Sequence, residues 1–291
     1  MRLLFVIGMQ KSGTSLFNRM LMQQDFICNP FLPEGKFFWG DNPPFSPTDK
    51  PCGELYQKYT GKQGHYLDES DFTQQDKELL FSRIERANIN EPILMNKNPY
   101  NSVRIKWLKA IFPDCKIVAI YRNPVANVFS LLKKYVECED KTVSSENGWW
   151  GIKPKNWLKI ISENKTIQCS QQWQSVNRHI LEDIDNIDML VNYDDLCECP
   201  KEVIVESVSG FDIQQSIKQL PVCKNMNKEY LQGSRLLSKN RELRKNKGFD
   251  LSNLHEEIEF PPLSQEQIDQ IKEITADSWN ELINSSKNFK T

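Results

Sequence analysis

At 291 residues, 39% of them hydrophobic and 26% charged, the chain can bury the core of one large α/β domain or two small ones. Its composition is that of a soluble globular protein, and a formal net charge of −2 supplies no basic field for nucleic acid. No apolar run approaches the roughly 18 residues that would cross a membrane.

The first predicted element is a strand at residues 3–7, which runs through a glycine-bounded turn into a helix pattern carried by Leu16, Phe17, Met20 and Leu21. Strand, turn and helix in that order make an anion site, because free backbone N–H groups and the positive helix end face one point. Gly8 and Gly13 have the spacing of the G-x-x-x-x-G-K-[ST] loop of nucleotide hydrolases. Thr14, however, stands where the lysine should be, and the lysine has moved back to Lys11. Such a loop can hold phosphate without the usual grip on the β/γ-phosphates of ATP, which points to a phosphate-bearing donor other than a triphosphate. A glycine turn with no ligand is the plainer alternative.

Residues 29–53 are rich in proline and aromatics and break the regular pattern. They contain Glu34-Gly35-Lys36-Phe37-Phe38, a carboxylate placed between a proline and two phenylalanines, where partial desolvation would raise its pKa toward that of a useful base. An exposed loop glutamate beside a core Phe pair is the other reading. Next come a helix at 74–88 and a strand at 92–96 that delivers Lys97-Asn98-Pro99-Tyr100, then a helix at 102–111 and a strand at 116–121. That strand ends in Arg122-Asn123-Pro124, where Asn123 can cap the following helix and Pro124 suits its first turn. An arginine at this strand end favours an anion directly, where a nucleotide hydrolase would keep an aspartate for Mg²⁺; a plain surface ion pair is the alternative.

A helix at 125–139 carries Ser130 about two turns in. Residues 139–165, with Gly148-Trp149-Trp150-Gly151, read as an inserted loop or lid whose tryptophans either stack on a flat acceptor or anchor the loop to the body. A helix at 166–185 and an apolar strand at 188–193 follow. The stretch 224–247 is basic, and Ser264 opens a closing helix at 265–283 with Glu266 and Gln267 near its first turn. Strands alternating with helices predict an α/β fold, a three-layer sandwich with a mainly parallel central sheet and a P-loop-like nucleotide site outside the strands' carboxyl ends.

The eight cysteines, at 28, 52, 115, 138, 169, 197, 199 and 223, include no CxxC pair, and Cys197-Glu198-Cys199 lacks companion ligands at zinc spacing. Reduced thiols and no metal site are therefore expected. The chain opens on the first strand with no cleavable signal pattern, and a cytoplasmic location is the expectation.

Taken together, Lys11-Ser12-Gly13-Thr14-Ser15 and the Arg122/Ser130 pair resemble the two donor-binding motifs of the sulfotransferases that use PAPS (3′-phosphoadenosine 5′-phosphosulfate). Lys97-Asn98-Pro99-Tyr100 and Glu34-Gly35-Lys36-Phe37-Phe38 are similar to elements of the carbohydrate and heparan-type branch. Trp173, Tyr193-Asp194-Asp195-Leu196 and Pro200 are similar to a further pattern of the family, so the resemblance spans roughly residues 3 to 200.

The resemblance implies that Lys11, Ser12, Gly13, Thr14 and Ser15 grip the 5′-phosphosulfate and that Arg122 and Ser130 hold the 3′-phosphate. The family's basic C-terminal loop would fall at Arg244, Lys245 and Lys247, although the spacing to Gly248 departs from the familiar one. Sulfuryl transfer needs an in-line acceptor, a base, and positive charge over the moving group and leaving oxygen. Lys11 and Lys97 would supply the charge and Glu34 the base, with PAP as product and no metal required. His65, in a loop, is the histidine that could replace Glu34; His179 and His255 have no comparable placement.

These expectations describe one domain over 1–291, with acceptor-specificity loops at 29–65 and 140–165 and a small-molecule or carbohydrate hydroxyl as acceptor. Aryl or alkyl alcohols, amines and peptide tyrosines stay open as acceptors. A P-loop-type ATP-dependent kinase would need a lysine at position 14 and a strand-end aspartate, whereas a non-catalytic nucleotide-binding protein would bind donor without turnover.

Overall fold

The computed structural model describes residues 2–31, 38, 64–139, 148–213, 216–218, 220, 223–236 and 258–288. Five strands form the central sheet: β1 (Arg2–Ile7), β2 (Ile27–Cys28), β3 (Ile93–Lys97), β4 (Lys116–Tyr121) and β5 (Met189–Asn192). Their order is β2-β3-β1-β4-β5, and every neighbouring pair is parallel. Parallel strands covered on both faces are near-continuous apolar runs, and alternate apolar residues along the strands enter two separate cores. Phe5, Ile7, Leu94, Ile117, Ala119, Tyr121 and Leu190 face one. Leu4, Val6, Ile93, Met95, Val118, Ile120 and Val191 face the other.

The first core is closed by α2 (Gln74–Ala87), α3 (Ile105–Ile111), α4 (Pro124–Glu139), α5 (Lys165–Glu182) and α8 (Gln265–Asn288). The second is closed by α1 (Thr14–Leu21), α6 (Tyr193–Glu198) and α7 (Pro200–Ser207). The result is the expected three-layer α/β arrangement, with the sheet's carboxyl edge carrying the loop after β1, Lys97 as the last residue of β3 and Arg122 after β4. β6 (Ser234–Leu236), within the basic stretch 224–247, forms a small antiparallel pair with β7 (Ile258–Phe260). Among the described residues no helix is long and apolar enough to cross a membrane.

Several elements depart from the sequence pattern, the closing helix for one running to Asn288, and three departures have a local reason. The helix expected at 102–111 is split: Asn98 caps a 3-10 turn at Pro99–Val103 by accepting from Tyr100 N–H, and the α-helix starts only at Ile105. The strand expected to reach residue 193 stops at Asn192, whose side chain accepts from Asp194 N–H at 3.0 Å and opens α6 at Tyr193. The short β2 was not foreseen; two residues carry no readable period.

Residues 148–165 settle the role of the paired tryptophans. Both indoles are buried: Trp149 packs edge-on against Trp157 at 5.8 Å and donates to Ile152 O, while Trp150 joins the main core. Gln172 on α5 donates to the carbonyls of Trp150 and Ile152 at 2.9 and 3.0 Å. The tryptophans anchor this segment to the body.

Candidate functional site

The loop after β1 is held open from behind. Gly8 donates its N–H to Ser102 Oγ at 2.8 Å, and Asn127 on α4 donates to Gln10 O at 2.8 Å. Lys11 takes a left-handed conformation (φ 69°), which costs a non-glycine residue on the order of 1 kcal/mol and persists only where its surroundings hold it. Gly13 precedes α1 with φ 108°, and a Cβ there would lie 2.6 Å from Tyr193 Cδ2, so position 13 is restricted to glycine twice over. No side chain caps the N-terminus of α1, and its first-turn N–H groups remain for an anion.

Arg122 reaches this loop from β4. Its Nη1 donates to Lys11 O at 3.0 Å and lies 3.5 Å from Ser130 Oγ; its Nε donates to Asn227 Oδ1 at 2.7 Å. The guanidinium carbon sits 4.5 Å over the Tyr193 ring, a cation–π contact. Nη2 is buried and has no hydrogen-bond partner among the described residues. Burial pushes the Arg122 pKa down, against the pull of Tyr193, Glu229 and Asp194, yet a guanidinium stays charged at neutral pH. An ionised donor edge buried without an acceptor is costly, and an anionic ligand is the partner that chemistry calls for.

A cavity of about 510 Å³ joins the two halves. Lys11, Gly13, Thr14, Ser15, Arg19, Arg122 and Lys224 are among the residues that line it. Ser12 is fully buried beneath the loop rather than in the cavity wall, and Ser130 stands behind Arg122. Lys97, buried at the end of β3, donates to Ser15 Oγ at 3.3 Å and so approaches the loop from the opposite side. Lys11 Nζ lies 5.9 Å from the centroid of the Trp150 ring. Of the anticipated residues, Lys11, Gly13, Thr14, Ser15, Arg122, Ser130 and Lys97 thus converge. Glu34, Arg244, Lys245 and Lys247, like most of 29–65, lie outside the described residues.

His65 is committed elsewhere. Its Nδ1 accepts from Lys153 N–H at 2.9 Å, its N–H donates to Lys153 O, and its carbonyl accepts from Arg104 Nε at 2.6 Å. Burial, with Arg104 and Lys153 beside it, holds the imidazole neutral, well below the usual histidine range. Its basic lone pair is spent tying residues 64–66 to 151–153, a structural task and not that of a base. His179 lines a separate surface cavity of about 600 Å³ with Lys155, Lys159 and Arg178.

The sequence reading did not foresee Ser102, Asn127 and Asn227 as supports of the site. Each acts from a distance in sequence, Asn227 from 105 residues away, and no local pattern marks them.

A family model described as the Sulfotransferase family matches residues 4–206, which takes in the phosphate loop, Lys97, Arg122 and Ser130. No curated protein matches. Among solved structures, a sulfotransferase from Alicyclobacillus acidocaldarius is similar at 16% identity and a TM-score of 0.53, covering 100% of this chain and 99% of that one. A sulfotransferase from Mycobacterium avium is similar at 14% identity and a TM-score of 0.49, covering 96% of this chain and 76% of that one. At 16% identity the likeness to the Alicyclobacillus acidocaldarius structure speaks for the fold alone.

Proposed function

The chain belongs to the sulfotransferase family, whose members are PAPS-dependent enzymes, and from that premise we propose that it moves the sulfuryl group of PAPS in line to an acceptor hydroxyl. One observation carries the reading beyond family membership: Arg122, with a buried donor edge still open, is hydrogen-bonded to the carbonyl of Lys11 inside the phosphate loop. A 3′-phosphate and a 5′-phosphosulfate on one nucleotide need two cationic sites joined in this way. Lys11, Gly13, Thr14 and Ser15 would hold the phosphosulfate, with Ser12 supporting the turn from beneath, and Arg122 and Ser130 would hold the 3′-phosphate. Arg244, Lys245 and Lys247 are assigned as the basic C-terminal loop.

In this reading Lys11 and Lys97 flank the transferring group from two sides and offset the charge that develops on the leaving oxygen. Glu34 takes the acceptor proton. Positive side chains do the work that Mg²⁺ does in phosphoryl transfer, so chelators are expected to leave turnover unchanged. The carbohydrate class of acceptor rests on the likeness of Lys97-Asn98-Pro99-Tyr100 and Glu34-Gly35-Lys36-Phe37-Phe38 to the heparan-type branch. One domain, with specificity loops at 29–65 and 140–165, completes the proposal. A kinase reading has less support, since Thr14 and Arg122 occupy the positions where it needs a lysine and an aspartate.

The test is calorimetric titration with PAP beside ADP and ATP in the absence of magnesium. Micromolar PAP binding with far weaker ADP is expected, and Arg122→Ala should abolish the preference. Equal affinity for PAP and ADP would sink the reading. Glu34→Gln should keep PAP affinity while turnover of labelled PAPS with a verified acceptor falls about 10²- to 10⁴-fold; unchanged turnover removes Glu34 as the base.

A further inference from the structure

Arg122 is oriented by a side-chain relay that begins at Asp194. Asp194 Oδ1 accepts from Asn225 Nδ2 and from Asn227 Nδ2, each at 2.5 Å. Asn227 N–H donates to Asn225 Oδ1 at 2.9 Å, and Met226 N–H approaches the Tyr193 hydroxyl at 3.4 Å. The same segment is tied to α4 by the Lys133–Glu229 ion pair at 2.7 Å. With its amide hydrogens turned to Asp194, Asn227 has only its oxygen left for Arg122, and that oxygen accepts from Nε at 2.7 Å. The amide cannot be flipped without setting oxygen against carboxylate and NH₂ against guanidinium.

A guanidinium offers five N–H donors in a rigid fork. Asn227 takes the Nε edge, and the Lys11 carbonyl and Ser130 hydroxyl face Nη1. Nη2 is left buried and unpartnered among the described residues, with the Tyr193 ring fixing the plane. We propose that Asn227 is a positioning residue: anchored by Asp194, it fixes the rotation of Arg122 so that the free edge meets a 3′-phosphate. It thereby sets the preference for 3′-phosphorylated over plain adenine nucleotides. This rests on the assignment of Arg122 to the 3′-phosphate made above.

The probe pair is PAP and 5′-AMP, which differ only in the 3′-phosphate. A hydrogen bond to a charged group contributes about 1.5–3 kcal/mol, so Asn227→Ala should weaken PAP about 10- to 100-fold. Binding of 5′-AMP should change less than about twofold if this bond acts on the 3′-phosphate alone. Asn225→Ala removes a bond to the same Asp194 oxygen and the acceptor of the Asn227 N–H but leaves the Asn227 side chain on Arg122, and should lower the PAP:AMP ratio less than Asn227→Ala does. Asn227→Asp sets two carboxylates together and should lower PAP affinity; adding Asp194→Asn restores a donor–acceptor pair and should recover part of the ratio. In an Arg122→Ala background, Asn227→Ala should have no further effect on it.

Wild-type protein with no PAP preference overturns the 3′-phosphate assignment itself, and the relay with it. A wild-type preference that survives Asn227→Ala, or a variant that loses PAP and 5′-AMP equally, overturns the relay alone. The Asp194/Asn227 exchange takes over as the test if Asn227→Ala does not fold: no recovery of the ratio overturns the proposal.

Discussion

Gly8 gives its amide hydrogen to a side chain 94 residues away, Ser102 Oγ at 2.8 Å, in a place closed to water. Removing that acceptor strands a buried donor, which costs about 1–3 kcal/mol. Ser102→Ala is therefore expected to lower unfolding stability by about that amount, read by urea denaturation; an unchanged midpoint would show that the loop is held by other means. At this scale the legible residues were those whose chemistry is local. Lys11 and Gly13 announce an anion loop because the turn itself demands them, and Arg122 stands out because a cation ends an apolar strand. Ser102, Asn127 and Asn227 stayed hidden because their partners, Gly8, Gln10 and Arg122, are chosen by tertiary contact. Asn225 and Asn227 flank Met226 in no recognisable pattern, so the relay to Asp194 could be found only once the pocket was assembled.

Elements were legible wherever caps and periods agree. Asn123 accepts from Val125 and Ala126 N–H at 3.0 and 3.3 Å, as its place before Pro124 suggested, and α4 begins there. Ser264 and Gln267 form a reciprocal capping box: Ser264 Oγ accepts from Gln267 N–H at 3.2 Å and Gln267 Oε1 from Ser264 N–H at 3.0 Å. Ser264→Ala should cost about 1 kcal/mol, seen as a fall in the thermal midpoint, and Ser264→Asp should retain most of it; equal losses would show that the cap is not the cause. The β5–α6 junction shows how periodicity misleads. Tyr193 continues an apolar run and so reads as strand, but Asn192 supplies a cap and the chain turns helical. That switch places the Tyr193 ring under Arg122, so a local rule missed at an element boundary hid a wall of the donor pocket.

For the whole molecule, acid is the expected weak point, because both described histidines are stored neutral. His65 is fully buried between Arg104 and Lys153, and its pKa falls well below the usual value. His179 on α5 is pushed from 6.5 to about 4, chiefly by burial, with Asp183 pulling upward and Lys155 downward. The Glu182 carboxylate lies 3.5 Å from Nδ1, but it is 58% exposed and well screened, so burial decides the direction. The sign follows from proton counts. Between pH 6.5 and about 4 the unfolded chain binds a proton at position 179 that the folded chain refuses, so stability is complete above 6.5 and drains as pH falls.

Across that interval this group alone accounts for about 3 kcal/mol, and His65 adds a loss of the same sign. Asp183 works in the opposite sense, since burial raises its pKa and the folded chain takes up its proton first. Chemical denaturation from pH 7 to 4.5 should therefore show a falling unfolding free energy with a slope below two protons per chain, reduced by what Asp183 takes up. His179→Gln, which keeps a polar group of similar size, should remove nearly one proton from that slope. A slope identical in the variant would place the acid sensitivity in carboxylates and not in this histidine. The consequence for the site comes through His65, whose protonation would break the Lys153 N–H to Nδ1 bond that joins residues 64–66 to the 151–153 segment. The Trp150 ring beside Lys11 belongs to that segment's anchored base, and because the folded chain refuses the His65 proton, PAP affinity should fall together with global unfolding and not ahead of it; an affinity lost while the unfolding free energy is unchanged would overturn this.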